Sequence, residues 1–554
     1  MTPRTLLMIA CCLSLTAAAQ DVCEVARPLN GQRLLRRLSL DLRNMVPTLA
    51  EQETQKGLTA VPAAVVDQFL ASPDFGLVMR SYHQALLWPN LDQVNLDPLA
   101  QVLTPVELAP GVTVYYSVVR ALTMRTITKP FPPCRNAPAT WDANGKLVTT
   151  PLIENGQTVA VQEGWVNVAP YWAPSTTIKV CGFDAQPALT AAACNPADTA
   201  RSPYMKQFCD QFESYAAVGG FPLINTPTSC ESGIAFIAGG CGCGPNLRLC
   251  QTVETAAEVR AALIEQQLRM VDHVAKDDAP YTDLLLSPAA SINGPLAHYL
   301  TWQSRTSFDV FGETDATSPI PANLPFSNKA WQPITRTGRH SGVLTTPGYL
   351  LKFQSNRGRA HRFYNAFECS AFIPSGALPS PTEACSKRED LTQRCGCNAC
   401  HVKLEPMAAG WGRFAEYGAT PLSEARYPKT YDTICTNFTD MDQLLRCVRF
   451  YQTEAVGDEL PFKGLLRPYV FLPPQQVARL EVGPRAVVQD AIDSGALANC
   501  TTRRMWSYFM RRDPRPDEEL TIIQPLAADF KANGYRLKPL VRAIVTHPAY
   551  GRMP

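Results

Sequence analysis

The apolar positions first fall into a helical rhythm. Leu34, Leu38, Leu42 and Met45 form a stripe with Arg33, Arg36, Arg37 and Arg43 largely around it. That pattern predicts a core-facing helix with a solvated face, limited by Pro47. A second helical stretch is predicted from Ala63 to Trp88. From about residue 100 the rhythm changes. Polar and apolar residues alternate from Lys146 to Leu152 and from Thr158 to Val168, on either side of Asn155-Gly156. An Asn-Gly pair between alternating runs is the strongest short-range hairpin signal, and Asn144-Gly145 marks another turn. Thr252 to Lys276 is helical again, with Ile264, Leu268, Val271 and Ala275 on one face. Residues 277–335 read as mixed and loop-rich. Near the end, Leu537, Leu540, Val541 and Ile544 occupy the i, i+3, i+4 and i+7 places of a core stripe before Pro548. No repeat or low-complexity segment interrupts this order.

Length and composition narrow the class. A chain of 554 residues is too long for one core, and 46% hydrophobic with 18% charged residues excludes a mainly disordered or fibrous protein. Net charge is +2 with no long run of one sign, which gives no global case for nucleic acid or an anionic membrane. The 47 prolines exceed the ordinary ~5% share and are dispersed, as in a loop-rich globular protein. The 19 cysteines are the anomaly. Arg4, the apolar run Leu6–Leu15 and Ala17-Ala18-Ala19 explain them: they form a signal peptide with cleavage after Ala19, so the mature chain is expected to start at Gln20. Reading Ala10-Cys11 as a lipoprotein site leaves almost no apolar segment before the cysteine. The leader is too short to span a bilayer, and no later stretch reaches ~18 uninterrupted apolar residues, so no transmembrane segment is expected in the mature chain. Export to the periplasm, the cell surface or the medium permits disulfides.

The cysteines cluster, eight from Cys134 to Cys250 and five from Cys369 to Cys400. Cys241-Gly242-Cys243 with Cys250 has no histidine near it, and export favours disulfides there over a metal. Residues 397–401 are different. Cys397-Asn398-Ala399-Cys400-His401 is C-x-x-C-H, the attachment pattern of a c-type haem. Two thiols about one helical turn apart add to the two porphyrin vinyl groups, and the following histidine ligates the iron from the proximal side. At this chain's Cys and His frequencies, chance predicts roughly 0.01 such motifs, although cysteine clustering raises that figure. The rival readings are two ordinary disulfide cysteines before a chance histidine, and a zinc site. The zinc site lacks a second Cys/His pair at ligand spacing. A thioredoxin-like C-x-x-C lacks its βαβ setting.

The run from Cys397 to Ala419 resembles the haem segment of large secreted cytochrome c-like proteins of planctomycetes and myxobacteria. Glu405-Pro406, Gly410-Trp411, Phe414 and Gly418 stand in the places where that segment has an acidic-Pro pair, a Gly-Phe-like step, an aromatic and a closing Gly. Met407-Ala408-Ala409 gives a slightly longer spacing. Gly342-Val343-Leu344-Thr345 with Pro347 and Leu350 resembles the stretch before the haem site. Arg36 to Thr48 with Phe69-Leu70-Ala71-Ser72-Pro73 resembles the N-terminal helical module, and Leu537 to Thr546 with Ala549-Tyr550 the C-terminal one. The resemblance covers about a third of the chain. It implies a haem protein and no particular reaction.

The expected fold is therefore mainly α with a disulfide-rich, partly β insertion, multi-domain and loop-rich. Its segments are a signal peptide (1–19), an N-terminal helical module (20–99), a Cys/Pro-rich insertion with β-hairpins (100–251), a helical and loop-rich linker region (252–335), the haem region (336–425) and a C-terminal helical module (426–554). One covalent haem c is expected on Cys397 and Cys400, with His401 as proximal iron ligand. Candidates for the distal position are His340 or His361, with Met407 less favoured because it lies only six residues beyond His401. Arg357, Arg359 and Arg413 are candidate partners for the propionates, since guanidinium pairs well with carboxylate. Setting aside the leader and the motif leaves fifteen cysteines, at most seven intrachain disulfides, with most pairs expected within 134–250. Cys395 is expected to be constrained by the haem loop, with Cys385 or Cys369 as its partner.

No G-x-S-x-G elbow, Walker loop or H-E-x-x-H helix is present, and Gly239-Gly240 lacks the setting of a nucleotide loop. The function expected is an exported monohaem c-type cytochrome passing single electrons to a redox partner protein or small electron carrier, with no nucleic-acid role. The alternatives are a haem-dependent peroxidase or oxygen-using oxidoreductase, and an exported structural or binding protein whose C-x-x-C-H is accidental.

Overall fold

A computed structural model describes residues 29–94, 96, 101–118, 132–140, 148–185, 242–305, 317–372, 380–431, 435 and 441–552. The leader, the Asn144-Gly145 turn and Cys194, Cys209, Cys230 and Cys241 lie outside them. Helix α1 (Gly31–Arg43) begins where the Asn30 side chain accepts from the Arg33 N–H at 2.9 Å and stops where Asn44 turns left-handed at φ 56°. Its buried side is Leu35, Leu38 and Leu42. The core face is thus rotated from the expected stripe: Leu34 is half-buried, and Met45, beyond the left-handed turn, is exposed. The stretch from Ala63 to Trp88 forms two helices, α2 (Ala63–Ala71) and α3 (Pro73–Leu87). Ser72 between them is extended, its hydroxyl accepts from the Asp74 N–H at 3.2 Å, and Pro73 has no N–H to bond back into α2.

Strands β1 (Leu103–Ala109) and β2 (Val112–Ser117) make an antiparallel hairpin. Strands β3 (Thr150–Glu154) and β4 (Gln157–Gln162) make a second, turned by Asn155 and Gly156 at φ 52° and 77° as the Asn-Gly pair predicts. The second alternating run divides after Gln162. Strand β5 (Trp165–Val168) leaves the hairpin and pairs with β6 (Ile178–Cys181), completing a sheet of order β1-β2-β6-β5 in which β2 and β6 are parallel. The core here is small and cross-linked. The Cys134–Cys181 disulfide packs with Val114, and Cys243–Cys250 lies among Leu103, Val180 and Leu247. Disulfides supply order that so few apolar side chains would not.

Helix α4 (Val253–Ala275) buries Leu263, Leu268, Val271 and Ala275, while Ile264 is half-buried. A two-stranded pair, β7 (Ala289–Ile292) and β8 (Gln332–Thr335), flanks α5 (Gly294–Thr301). There follow α6 (Pro347–Lys352), α7 (Asn356–Glu368), α8 (Asn398–Ala408), α9 (Met441–Phe450), α10 (Pro474–Val482) and α11 (Pro484–Asp493). Last come α12 (Ala496–Met510), α13 (Gln524–Ala532) and α14 (Leu537–Val545). In α14 Leu537, Leu540, Val541 and Ile544 are all buried, as their spacing predicts. The architecture is mainly helical with small sheets, disulfide-bonded and rich in loops. Among the described residues no helix is long and apolar enough to cross a membrane.

The chain divides into two units. The first contains the described residues up to Tyr82, Asp272–Tyr281 and those from Ala498 onward. It joins the two ends of the chain: Leu29 N–H donates to Gly551 O at 2.8 Å, and Arg37 donates to Tyr550 O at 2.9 Å and Phe509 O at 3.1 Å. Asp41 completes the junction, accepting from the Tyr550 hydroxyl at 2.8 Å and from Arg511 at 2.7 Å. The second unit, His83–Val271 and Thr282–Leu497, contains the sheets and residues 397–401.

Candidate functional site

The sequence around the motif builds a short stapled loop that feeds a helix. Cys385 and Cys395 are disulfide-bonded, as expected for a cysteine constrained beside the motif. Inside the loop the buried Asp390 carboxylate accepts from the Thr392 N–H at 2.8 Å and hydroxyl at 2.7 Å, and from the Gln393 amide at 3.1 Å. Arg394 O then receives the Cys397 and Asn398 N–H groups at 3.1 and 2.9 Å, starting the turn that becomes α8.

Cys397 is the N-cap of α8, and the Cys400 and His401 N–H groups both donate to its carbonyl, at 3.2 and 3.1 Å. Cys397, Cys400 and His401 therefore occupy a single helical turn. Both cysteines are half-buried and stand outside disulfides. Elsewhere among the described residues, cysteine sulfurs are joined in Cys134–Cys181, Cys243–Cys250, Cys385–Cys395 and Cys435–Cys447, and Cys369 and Cys500 are disulfide-bonded as well. The His401 ring is half-buried, and its Nδ1 meets the Glu405 carboxylate one turn on. Against an ionised carboxylate, which only accepts, Nδ1 would be the donor of a neutral ring and Nε2 its acceptor.

Glu405 has a second donor. Arg357 Nε on α7 reaches the same Oε1 at 2.7 Å, and Lys403 on α8 pairs with Glu368 on α7 at 3.2 Å while lying 4.0 Å from the Tyr364 ring centroid. These contacts hold the motif helix against α7. The sequence marks Glu405 only as the acidic member of an acidic-Pro pair. Its i+4 spacing from His401 was the available signal.

The other candidates are differently placed. His361 is exposed on α7, its ring 5.8 Å from that of Phe372. His340 is 3% exposed, with Nε2 2.9 Å from the Thr317 hydroxyl and Nδ1 3.2 Å from that of Thr345. Met407 is buried near the end of α8. Arg359 and Arg413 are both fully buried. Arg359 donates to the carbonyls of Phe353, Leu350 and Ala415, and burial pushes its guanidinium down to about 10. Arg413 donates to Tyr427 O and Leu422 O. Of the three arginines, only Arg357 reaches the motif helix from the surface.

The segment before the motif and the segment after it meet in the core. Gly342–Thr345 is one buried 3₁₀ turn, and the fully buried Trp411 donates its indole N–H to Leu344 O at 3.0 Å. Among the described residues, the His/Cys/Asp/Glu grouping with metal-like spacing is Glu383, Cys385 and Cys395, whose sulfurs are already joined to each other.

Residues 489–550 match the family described as a protein of unknown function, DUF1585, a domain found in cytochrome c-like proteins of planctomycetes. The matched stretch includes α12, α13 and α14 and stops short of the C-x-x-C-H motif on its C-terminal side. No curated protein and no solved structure shows significant similarity to the chain.

Proposed function

We propose that this protein is an exported monohaem c-type cytochrome that carries single electrons. The observation that carries the reading is that Cys397, Cys400 and His401 share one turn of α8, with both cysteines outside disulfides in a region where Cys385 and Cys395 are cross-linked. That donor set fits a haem c. The Cys397 and Cys400 thiols would each add across a vinyl group, sulfur to one carbon and hydrogen to the other, so no oxidant is consumed. His401 would offer Nε2 to the iron while Glu405 holds Nδ1. When bound, the group supplies a ferric/ferrous couple, whose potential the protein sets through ligand, burial and hydrogen bonds. The disulfides support an oxidising location outside the cytoplasm. The partner would be a redox protein or a small electron carrier.

The test is production of the full chain in a host with a cytochrome c maturation system. Covalent haem keeps its peroxidase stain and absorbance after denaturing electrophoresis. Cys400→Ser is expected to weaken attachment and His401→Ala to remove the proximal ligand. A folded but colourless wild-type product sinks the reading.

A further inference from the structure

We propose that Glu405 is the positioning residue of the site, fixing the ring of His401 and biasing the iron toward its ferric state. The inference rests on the haem reading above. Glu405 lies four residues after His401 on α8, the spacing at which helical side chains meet. Its Oε1 accepts from His401 Nδ1 on its own helix and from Arg357 Nε on α7, the latter at 2.7 Å. The carboxylate is three-quarters shielded and held from both sides, so neither it nor the imidazole turns freely. Pro406 follows directly, and its ring fixes the backbone next to Glu405.

An acceptor at Nδ1 does more than orient the ring. It draws the Nδ1 proton toward the carboxylate, raises the electron density at Nε2 and strengthens its donation to a metal. A stronger donor favours the more positive iron and lowers the reduction potential. Arg357 shares the same oxygen and moderates that effect. An ion pair on the helix surface with no such role would be worth ~0–1 kcal/mol of stability and would leave the potential alone.

The experiment uses the full-length haem-bearing protein and its Glu405→Gln, Glu405→Asp, Arg357→Gln and Glu368→Gln variants. Haem content, the ferric/ferrous equilibrium and the iron–histidine stretching frequency of the ferrous form are read for each. Glu405→Gln is expected to shift the equilibrium about tenfold toward ferrous iron, or about 59 mV for one electron, and to lower the stretching frequency. Glu405→Asp keeps the charge but shortens the reach, and is expected to follow Glu405→Gln rather than wild type. Arg357→Gln leaves the carboxylate to His401 alone and is expected to shift the equilibrium toward ferric iron. Glu368→Gln removes a carboxylate that bonds Lys403 rather than His401 on the same helix pair, and is expected to change it less than about twofold.

Haem-bearing Glu405→Gln with wild-type potential and stretching frequency overturns the role of Glu405 and leaves the cytochrome reading intact. So does a shift no larger than that of Glu368→Gln, or an Asp variant that behaves as wild type. Wild-type protein without covalent haem overturns both. If Glu405→Gln does not fold, the Asp and Arg357 variants decide by the signs given.

Discussion

Replacing Cys385 and Cys395 with serine tests how firmly the chain holds the entry to its motif. The disulfide closes a sequence separation of 10 residues, and losing the loop-closure constraint of a ring that size costs about 2.7 kcal/mol. At ~1.4 kcal/mol per factor of ten, local opening becomes about 100-fold more frequent. The amides that report it are those of Arg394, Cys397 and Asn398, bonded to Asp390 O and Arg394 O at 2.9–3.1 Å. Native-state hydrogen exchange should find them exchanging about 100-fold faster in the double variant, with α14 unchanged. Wild-type exchange rates at these amides would refute the reasoning, because the Asp390 hydrogen bonds would then suffice to close the loop. The single variants carry a second contrast. Cys385→Ser leaves the Cys395 thiol two residues from Cys397 to compete during maturation, so it should incorporate less haem than the double variant.

Gly342→Ala should destabilise the second unit by about 3 kcal/mol, read as a lower urea midpoint, because φ is 46° and a Cβ would stand 2.2 Å from Leu284 O. Glu518 accepts from both Arg512 Nη groups at 2.6 and 2.7 Å and from the Arg515 N–H at 2.8 Å, and these bonds hold its carboxyl down at about 2 from an ordinary 4.5. The depressed folded value means that its stabilisation, about 3 kcal/mol, is present above pH ~4.5 and is lost as pH falls toward ~2; Glu518→Gln should flatten that part of the urea-midpoint profile. The ferric haem protein should be low-spin and slow to bind cyanide, and His361→Ala should alter its spectrum more than His340→Ala. Both His340 ring nitrogens are already engaged by threonine hydroxyls, and a high-spin iron that turns over peroxide at an enzyme-like rate would instead favour a peroxidase.

The elements legible in the sequence were those whose pattern and punctuation agree. The Leu537–Ile544 stripe ends at a proline and folds as read, and Asn155-Gly156 turns its hairpin with the two positive φ values such a pair adopts. Where pattern and punctuation disagree, the punctuation won. Ser72-Pro73 splits what apolar spacing alone reads as one helix, and the left-handed Asn44 removes Met45 from the face that Leu38 and Leu42 share. The pairing of β2 with β6 joins strands about sixty residues apart in sequence, with a whole hairpin between them, and no local periodicity encodes a contact over that distance.

At the candidate site, the donor set was readable because it is contiguous: two thiols and an imidazole within five residues need nothing from the rest of the chain to stand on one turn. Cys395 was legible for the same reason, since a cysteine two residues before the motif must be either a competing thiol or a sulfur already tied up, and Cys385 is near enough to tie it. What surrounds that donor set is not contiguous. Arg357 reaches Glu405 from a helix 48 residues earlier, and His340 is claimed by Thr317, 23 residues before it, and by Thr345 in the buried 3₁₀ turn. The same arginine and histidine letters were equally compatible with haem-facing and structural positions; only burial separates Arg359 and Arg413, whose guanidiniums are bonded to backbone carbonyls in the core, from Arg357, which stays at the surface beside the histidine's carboxylate. Identity of the donor atoms is therefore written in the local sequence, whereas their electronic environment is written in the packing of α7 against α8.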